Sequence, residues 1–275
     1  MLSVNTNMNS LVAQNNLMSS QTRLNSSLQK LSTGLQINSA ADNPAGLVTS
    51  SLENAQISGL QQSIQNIQTG SALVQTADSS LANINDLLVQ VRSLAANSAN
   101  SATQSTASLA ANQANATALL SSIDNIATTT KFGTVALLDG SFTAAKFQTG
   151  AFSGQQASLT IAKSDSTTLS VNSVDLTTAA GATAALTAID AAISTVASAR
   201  GNLGAFMAGT LTATQNNNQA QLTNLQQAKS ILTDTNYQTE IANYTSENIR
   251  QQAASTVLGM ANQSNQSIMS LLRGQ

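Results

Sequence analysis

Residues 60–91, LQQSIQNIQTGSALVQTADSSLANINDLLVQV, decide how this chain folds. Apolar positions recur at Leu60, Ile64, Ile67, Val74, Ala77, Leu81, Ile84, Leu88 and Val91. The steps are four and three, with one polar gap at Ser71. That is a heptad seam of period 3.5, and its length predicts a coiled-coil helix rather than an isolated one. Leu186, Ile189, Ile193, Val196, Leu203 and Met207 repeat the spacing towards the other end. A helix with one apolar stripe must bury it against something. Two such stripes in one chain can bury each other, and any excess must find another molecule.

Composition points the same way. Aromatic residues are 3%, charged residues 8%, and His, Cys and Trp are absent. Globular domains carry roughly 25% charged residues, which keep their surfaces soluble and apart. A surface this poor in charge suits burial by neighbours. The net charge is −2, with ten Lys and Arg in 275 residues, so no basic face for nucleic acid is expected. The mean hydropathy is −0.01, and no apolar run is read as long enough to span a bilayer. A charged segment followed by an apolar core is not seen at the start, so no secretory signal is expected. Without Cys there are no disulfides and no thiolate metal sites.

Outward from the ladder, Leu17, Leu24, Leu28, Leu31 and Leu35 share a face of a first helix. A break is predicted near 34–43, because Gly34 interrupts the pattern and Asn43-Pro44 opens a new helix. A further helix is predicted from Leu109 to Thr128, with Leu119, Ile123 and Ile126 at seam spacing. From Lys131 the texture changes to short alternating runs between glycines. Strands are expected among 147–149, 158–161, 169–171 and 174–176. Helix returns from about Thr183, breaks again at Thr233 to Tyr237, and ends the chain. The fold class is mainly α: long antiparallel coiled-coil helices from both termini, with a small β-hairpin insertion at 131–182 forming a separate face.

Catalytic chemistry finds little support. Without His or Cys the commonest base, the thiol nucleophile and most transition-metal ligands are missing, and no catalytic, metal or cofactor site is expected. Asp78 with Asp86, and Glu240 with Glu247, read as solvated helix surface. Arg92 reads as a rim residue whose stem covers apolar surface, or as a contact to another subunit. The run Asn216-Asn217-Asn218 sets register as a buried polar layer or faces water; both readings stand.

The segment Leu31-Ser-Thr-Gly-Leu-Gln-Ile-Asn-Ser-Ala-Ala-Asp-Asn-Pro-Ala-Gly-Leu47 resembles the N-terminal signature of bacterial flagellin. The similarity continues through Gln75-Thr-Ala-Asp78, Leu81-Ala-Asn-Ile-Asn85, Val91-Arg-Ser-Leu-Ala95, Lys131-Phe-Gly133 and Phe147-Gln-Thr-Gly150. It resumes in Ala199-Arg-Gly-Asn-Leu-Gly204, Thr233-Asp-Thr-Asn-Tyr-Gln-Thr-Glu240, Gln251-Gln-Ala-Ala254 and Ser270-Leu-Leu-Arg273. Only about 155–183 matches loosely. The resemblance implies a structural subunit, not an enzyme, of the extracellular flagellar filament. It implies export through the flagellar type III channel, and as partners further copies of itself, an export chaperone, and hook-associated junction and cap proteins. It divides the chain into an inner terminal coiled-coil domain, 1–43 with 235–275, ordered on assembly, and an outer helical domain, 44–234. The 131–182 insert would lie at the filament surface. The assembly interface is then expected at Leu24, Leu28, Leu31, Leu35, Ile241, Ile249, Val257, Ile268, Leu271 and Leu272.

In flagellins that trigger the vertebrate flagellin receptor, an Arg precedes the Val-Arg pair and a Glu stands on the following helix. Here Gln90 and Asn115 occupy those places, beside Arg92 and the matching Leu94, so weak receptor activation is implied. Ser141, Thr143, Ser153, Ser164, Ser166, Thr167 and Thr168 are the hydroxyls expected to carry O-linked sugars. A hook–filament junction protein is the nearest rival. A filament-borne enzyme is disfavoured by the missing His and Cys, and a membrane-surface helix by the lack of basic faces.

Overall fold

The computed structural model describes residues 6–100 and 102–273, with side-chain environments through Gln263. Six α-helices carry it: α1 (Met8–Thr33), α2 (Pro44–Ser98), α3 (Thr106–Thr129), α4 (Ala179–Ala205), α5 (Ala213–Thr233) and α6 (Tyr237–Arg273). A π-helical segment, Phe206–Thr212, joins α4 to α5. Side-chain caps fix several starts. Asn7, Asn43, Ser105 and Thr178 each accept a backbone N–H three residues on, at 2.9–3.2 Å. Pro44 opens α2, where its missing N–H costs nothing. Two compact units result: Met1–Ala55 with Asn224–Gln275, and Gln56–Thr223.

In the first, terminal unit, α1 and α6 pair antiparallel. Asn7 Nδ2 donates to the Ala261 carbonyl at 2.9 Å, and Ser20 Oγ to Glu247 Oε2 at 3.1 Å. The two breaks hold each other: Gln36 N donates to Thr233 O at 2.7 Å, and Thr235 N to Gly34 O at 2.9 Å. Gly34 takes φ +73° to end α1, a left-handed conformation that suits glycine.

The second unit holds the main core. Ile67, Val74, Ala77, Leu81, Ile84, Leu88 and Val91 of α2 are buried there, as the heptad reading predicts. The facing helices differ in detail. On α4 the fully enclosed positions are Ala182, Ala185, Ile189, Ala192, Val196 and Leu203, while Leu186, Ile193 and, in the π-helical segment, Met207 pack at the margin. On α3 they are Ala116, Leu120, Ile123 and Ala127, with Leu119 and Ile126 marginal. The enclosed positions thus mix alanines with Ile189, Val196, Leu203, Leu120 and Ile123, and the remaining seam residues flank them. Two ion pairs of opposite sense tie α2 to α4, Arg92 to Asp190 at 2.6 Å and Arg200 to Asp78 at 2.8 Å. Ala179–Thr233 also contains an 18-residue window of mean hydropathy 1.4, apolar and long enough to cross a membrane, which corrects the sequence reading. Its apolar character rests on alanine, and its inward residues belong to the core just described.

Between α3 and α4 lie two antiparallel hairpins. β1 (Lys131–Phe132) pairs with β2 (Val135–Ala136), and β3 (Ala145–Gln148) with β4 (Gln156–Leu159), with Ala145 opposite Leu159. The expected strands at 169–171 and 174–176 do not form. The first is a turn: Val171 N reaches Ser166 O at 2.9 Å, and Ser170 has φ +56°. In the second the Gln113 side chain takes the backbone, donating to Val174 O at 3.1 Å and accepting from Leu176 N at 2.6 Å. Nor is the insert a separate face. Leu137, Leu138, Phe142, Leu159, Ile161, Leu169, Val171 and Leu176 all enter the same core.

The β3–β4 hairpin seats on a second stripe of α2, at Gly59, Ser63, Asn66 and Gly70. Ser63 Oγ donates to Thr149 O at 3.1 Å, and Asn66 Nδ2 to Gln148 O at 3.3 Å. A Cβ at Gly59 would stand 3.0 Å from Ala151 Cβ, and one at Gly70 3.1 Å from Phe147, so both glycines admit the hairpin closely. Asn218 of α5 closes the contact from the other side. Its Nδ2 donates to Ser63 Oγ at 2.6 Å and to Thr149 O at 2.7 Å.

Candidate assembly and recognition surfaces

The two units bury their apolar residues very differently. Among the described residues, every member of the main core cluster lies between Ile67 and Leu211, in the second unit. Among its described residues the terminal unit encloses only Ala13, Leu24 and Ile37 as apolar side chains, beside Ser20, Ser27, Ser50, Thr233 and Glu247. Its larger apolar side chains face outward. Apart from Val89, Val135 and Phe152, all the large hydrophobics exposed among the described residues belong to it.

The seam between α1 and α6 is correspondingly small and polar. α1 turns Ala13, Ser20, Leu24 and Ser27 inward, a seven-four-three spacing. Glu247 is buried on the α6 side, accepts from Ser20 Oγ at 3.1 Å and Arg250 Nη1 at 3.0 Å, and forms an ion pair with Arg23 Nε at 3.4 Å. Its partners satisfy the buried charge. The reading of Glu247 as solvated surface is therefore corrected: 8% of it is exposed. Lys30 and Glu240 join Arg23, Glu247 and Arg250 around one cavity of about 270 Å³. These are all the charged residues of α1, and all those of α6 through Gln263. The rest of α1, and of α6 through Gln263, carries no charge.

The expected assembly residues separate accordingly. Leu28, Leu35, Ile241, Ile249 and Val257 are exposed, and Leu31 is half-buried. Leu24 is 7% exposed and packs within the chain, so it is not free for a neighbour. The side chains of Ile268, Leu271 and Leu272 lie outside the described residues. Met8, Leu11, Val12, Met18, Val48, Leu52, Ile231 and Met260 are exposed too, and the heptad reading did not select them. Met8, Leu11 and Val12 follow three-and-four spacing, a signal that was present but short.

In the second unit, Gln90, Leu94 and Asn115 come together. With Ser93, Ala118, Leu119 and Ser122 they line an uncharged cavity of about 440 Å³, whose apolar lining is Leu94, Ala118 and Leu119. Arg92 is not part of it. Its guanidinium is held by Asp190 of α4, which raises its pKa further. Of the candidate glycosylation hydroxyls, Ser141, Thr143, Ser153, Thr167 and Thr168 are exposed. Ser164 and Ser166 are not. Each is 3% exposed; Ser164 Oγ donates to Ala162 O at 3.1 Å and Ser166 Oγ to Asp124 Oδ2 at 2.9 Å. Among the described residues, no group of three or more acidic side chains could hold a metal ion.

The pattern of the bacterial flagellin N-terminal helical region matches residues 4–143, and that of the C-terminal helical region matches residues 186–272. The chain belongs to the bacterial flagellin family. A flagellin of Halalkalibacterium halodurans is 34% identical over 272 residues, 98% of this chain and 99% of its own length. Polar flagellin F of Vibrio parahaemolyticus is 36% identical over 158 residues, and B-type flagellin of Pseudomonas aeruginosa 41% over 150. The chain spans 42% and 30% of the length of those two relatives. The crystal structure of Bacillus cereus flagellin aligns with a TM-score of 0.51 at 25% identity, over 56% of this chain and 88% of that one. Flagellins are structural proteins, not enzymes, and the mainly helical fold with its small hairpin insertion agrees with that structure.

Proposed function

We propose that this chain is the subunit of an extracellular flagellar filament and polymerises through its terminal unit into an open helical array. The observation that carries this is the uneven burial: a closed core in one unit, and outward-facing apolar side chains with a small polar seam in the other. Exposed apolar area of that kind marks a surface meant to be covered. Copies that cover each other by unlike patches form an open filament when the rotation between them does not close. The inner domain is assigned to 1–43 with 235–275 and the outer domain to 44–234. Export through the type III channel, an export chaperone, and junction and cap proteins belong to the same reading. The experiment is electron microscopy of purified protein after salt-induced polymerisation. Removal of residues 1–40, or of 240–275, is expected to leave a folded helical core that stays monomeric. Normal filaments from either truncation would falsify the assignment.

Weak activation of the vertebrate flagellin receptor belongs to this reading as well. The groove that holds Gln90, Leu94 and Asn115 offers apolar contact but no charge. Charge-assisted hydrogen bonds contribute about 1.5–3 kcal/mol each. A reporter assay on monomer, comparing the natural chain with Gln90→Arg plus Asn115→Glu, is expected to show a strong gain for the double variant. Equal signalling by the two chains counts against it. Of the candidate sugar sites, the exposed Ser141, Thr143, Ser153, Thr167 and Thr168 remain, and peptide mapping of native filaments tests them.

A further inference from the structure

The chain has no Cys and six Met, so thioethers are its only oxidisable sulfur. Their placement is uneven. Met8 is 60% exposed, Met18 65% and Met260 59%, all on α1 or α6. Met207, in the second unit, is half-buried against the main core. Met8 and Met260 stand at one level of the helix pair. Their neighbours Asn7 and Ala261 are joined by a 2.9 Å hydrogen bond, and Ser10 Oγ donates to Asn262 Oδ1 at 2.7 Å. Leu11, Val12 and Val257 are exposed near that level. Met18 lies about 15 Å further along α1.

We propose that Met8, Met18 and Met260 form a reversible oxidation site that governs whether the terminal unit can be covered by a second copy; this rests on the assembly reading above. A thioether lone pair attacks the O–O bond of a peroxide-class oxidant. One oxygen transfers to sulfur, the O–O bond breaks, and water (or an alcohol) leaves. Methionine is oxidised by two electrons and the peroxide is reduced. The product is a polar, chiral sulfoxide in place of an apolar side chain. In the free subunit the change is tolerated, because these side chains face solvent. In the polymer each sulfoxide must be desolvated, and the exposed apolar side chains near Met8 and Met260, those of Leu11, Val12 and Val257, offer it no hydrogen bond. Oxidation therefore opposes assembly and leaves the second unit intact. Reduction returns the oxygen as water, with two thiols closing to a disulfide.

The test treats monomer with hydrogen peroxide, maps the oxidised peptides, and then measures the monomer left in equilibrium with seeded filaments. Met8, Met18 and Met260 are expected to gain one oxygen before Met207 does. Residual monomer is expected to rise about tenfold or more, since one buried polar group is enough for that. Methionine sulfoxide reductases of both stereospecificities are expected to restore assembly. The triple variant Met8→Leu, Met18→Leu, Met260→Leu should assemble before and after peroxide, while Met207→Leu should stay as sensitive as the natural chain. Should the triple leucine variant not assemble, the sulfoxide-like triple Met→Gln variant, folded by circular dichroism, must raise residual monomer as peroxide does. Oxidised natural chain that assembles at unchanged residual monomer overturns the proposal, as does a triple leucine variant that assembles yet loses that ability in peroxide. If untreated protein forms no filaments, it is the assembly reading that fails.

Discussion

Asp165 shows how a single side chain holds the insert. Burial pushes its carboxyl pKa up, but the Lys163 ammonium at 2.7 Å and the Thr168 N–H at 3.0 Å outweigh that and hold it at about 2. The folded value lies below the ordinary 3.8, so the stabilisation is present above that value and is lost as pH falls from about 4 towards 2. The shift corresponds to about 2 kcal/mol. Asp165→Asn is therefore expected to lower the melting temperature of the second unit at neutral pH and to flatten its decline below pH about 4. Parallel acid melts of the two chains check this; two curves falling with equal slope through that window refute it. The same scale settles the asparagine run. Asn218 is 4% exposed and bridges Ser63 and Thr149, whereas Asn216 and Asn217 face water. No sequence spacing distinguishes these neighbours, because the hairpin that Asn218 grips lies 69 residues away.

Helices were legible because periodicity and caps are local. Thr33 ends α1 beside Gly34, Pro44 opens α2, and the seam from Leu60 to Val91 is buried where its spacing places it, save that Ile64 is only half-buried. The strands at 169–171 and 174–176 were misread because alternation says nothing about partners, and Gln113 supplied the pairing that a strand would have made. Leu24 and Leu28 belong to one stripe in the sequence, yet one is buried and the other exposed, because a stripe does not say which part its own chain will cover. The π-helical segment Phe206–Thr212 was equally invisible. It lets Leu211 return to the core eight residues after Leu203, a spacing that would leave it about 80° out of phase in an α-helix at about 100° per residue. One surplus residue accommodated in this way can be removed without turning α5. A Cβ at Gly209 would meet nothing within 4 Å, so Gly209 is the residue to delete. That deletion is expected to keep the melting temperature within a few degrees, while deletion of Ala197 in α4 rotates every later side chain and lowers it sharply. Thermal melts followed by circular dichroism compare the two. Equal losses would show that the segment does not absorb the extra residue.

At the scale of the whole molecule, the chain divides its apolar residues between an inside and an outside, and adjacent leucines test the division. Leu24 is 7% exposed and part of the α1–α6 seam, where Ser20 and Glu247 are its polar neighbours in the pairing. Leu28 stands one turn on and is 43% exposed. If the terminal unit is built to be covered by further copies, aspartate at these two places must act on different equilibria. Leu24→Asp puts a charge into the chain's own seam and is expected to destabilise the helix pair by about 2–5 kcal/mol. That appears as lost helicity in the monomer, before any assembly. Leu28→Asp leaves the monomer's helicity unchanged, because its charge stays in water. It acts only when a neighbour arrives, since that face must then bury an unpaired carboxylate. The milder Leu28→Ala removes apolar area alone. A loss of about 1 kcal/mol per contact raises the residual monomer concentration about fivefold. Because monomer and filament are linked by mass action, the effects separate cleanly by concentration. Seam damage is independent of protein concentration in dilute monomer, and outer-face damage is seen only where filaments form. Sedimentation and circular dichroism across a concentration series measure both. Filaments from Leu28→Asp at natural yield would place Leu28 on a free face of the polymer and move the assembly surface to the other exposed apolar residues of α1 and α6.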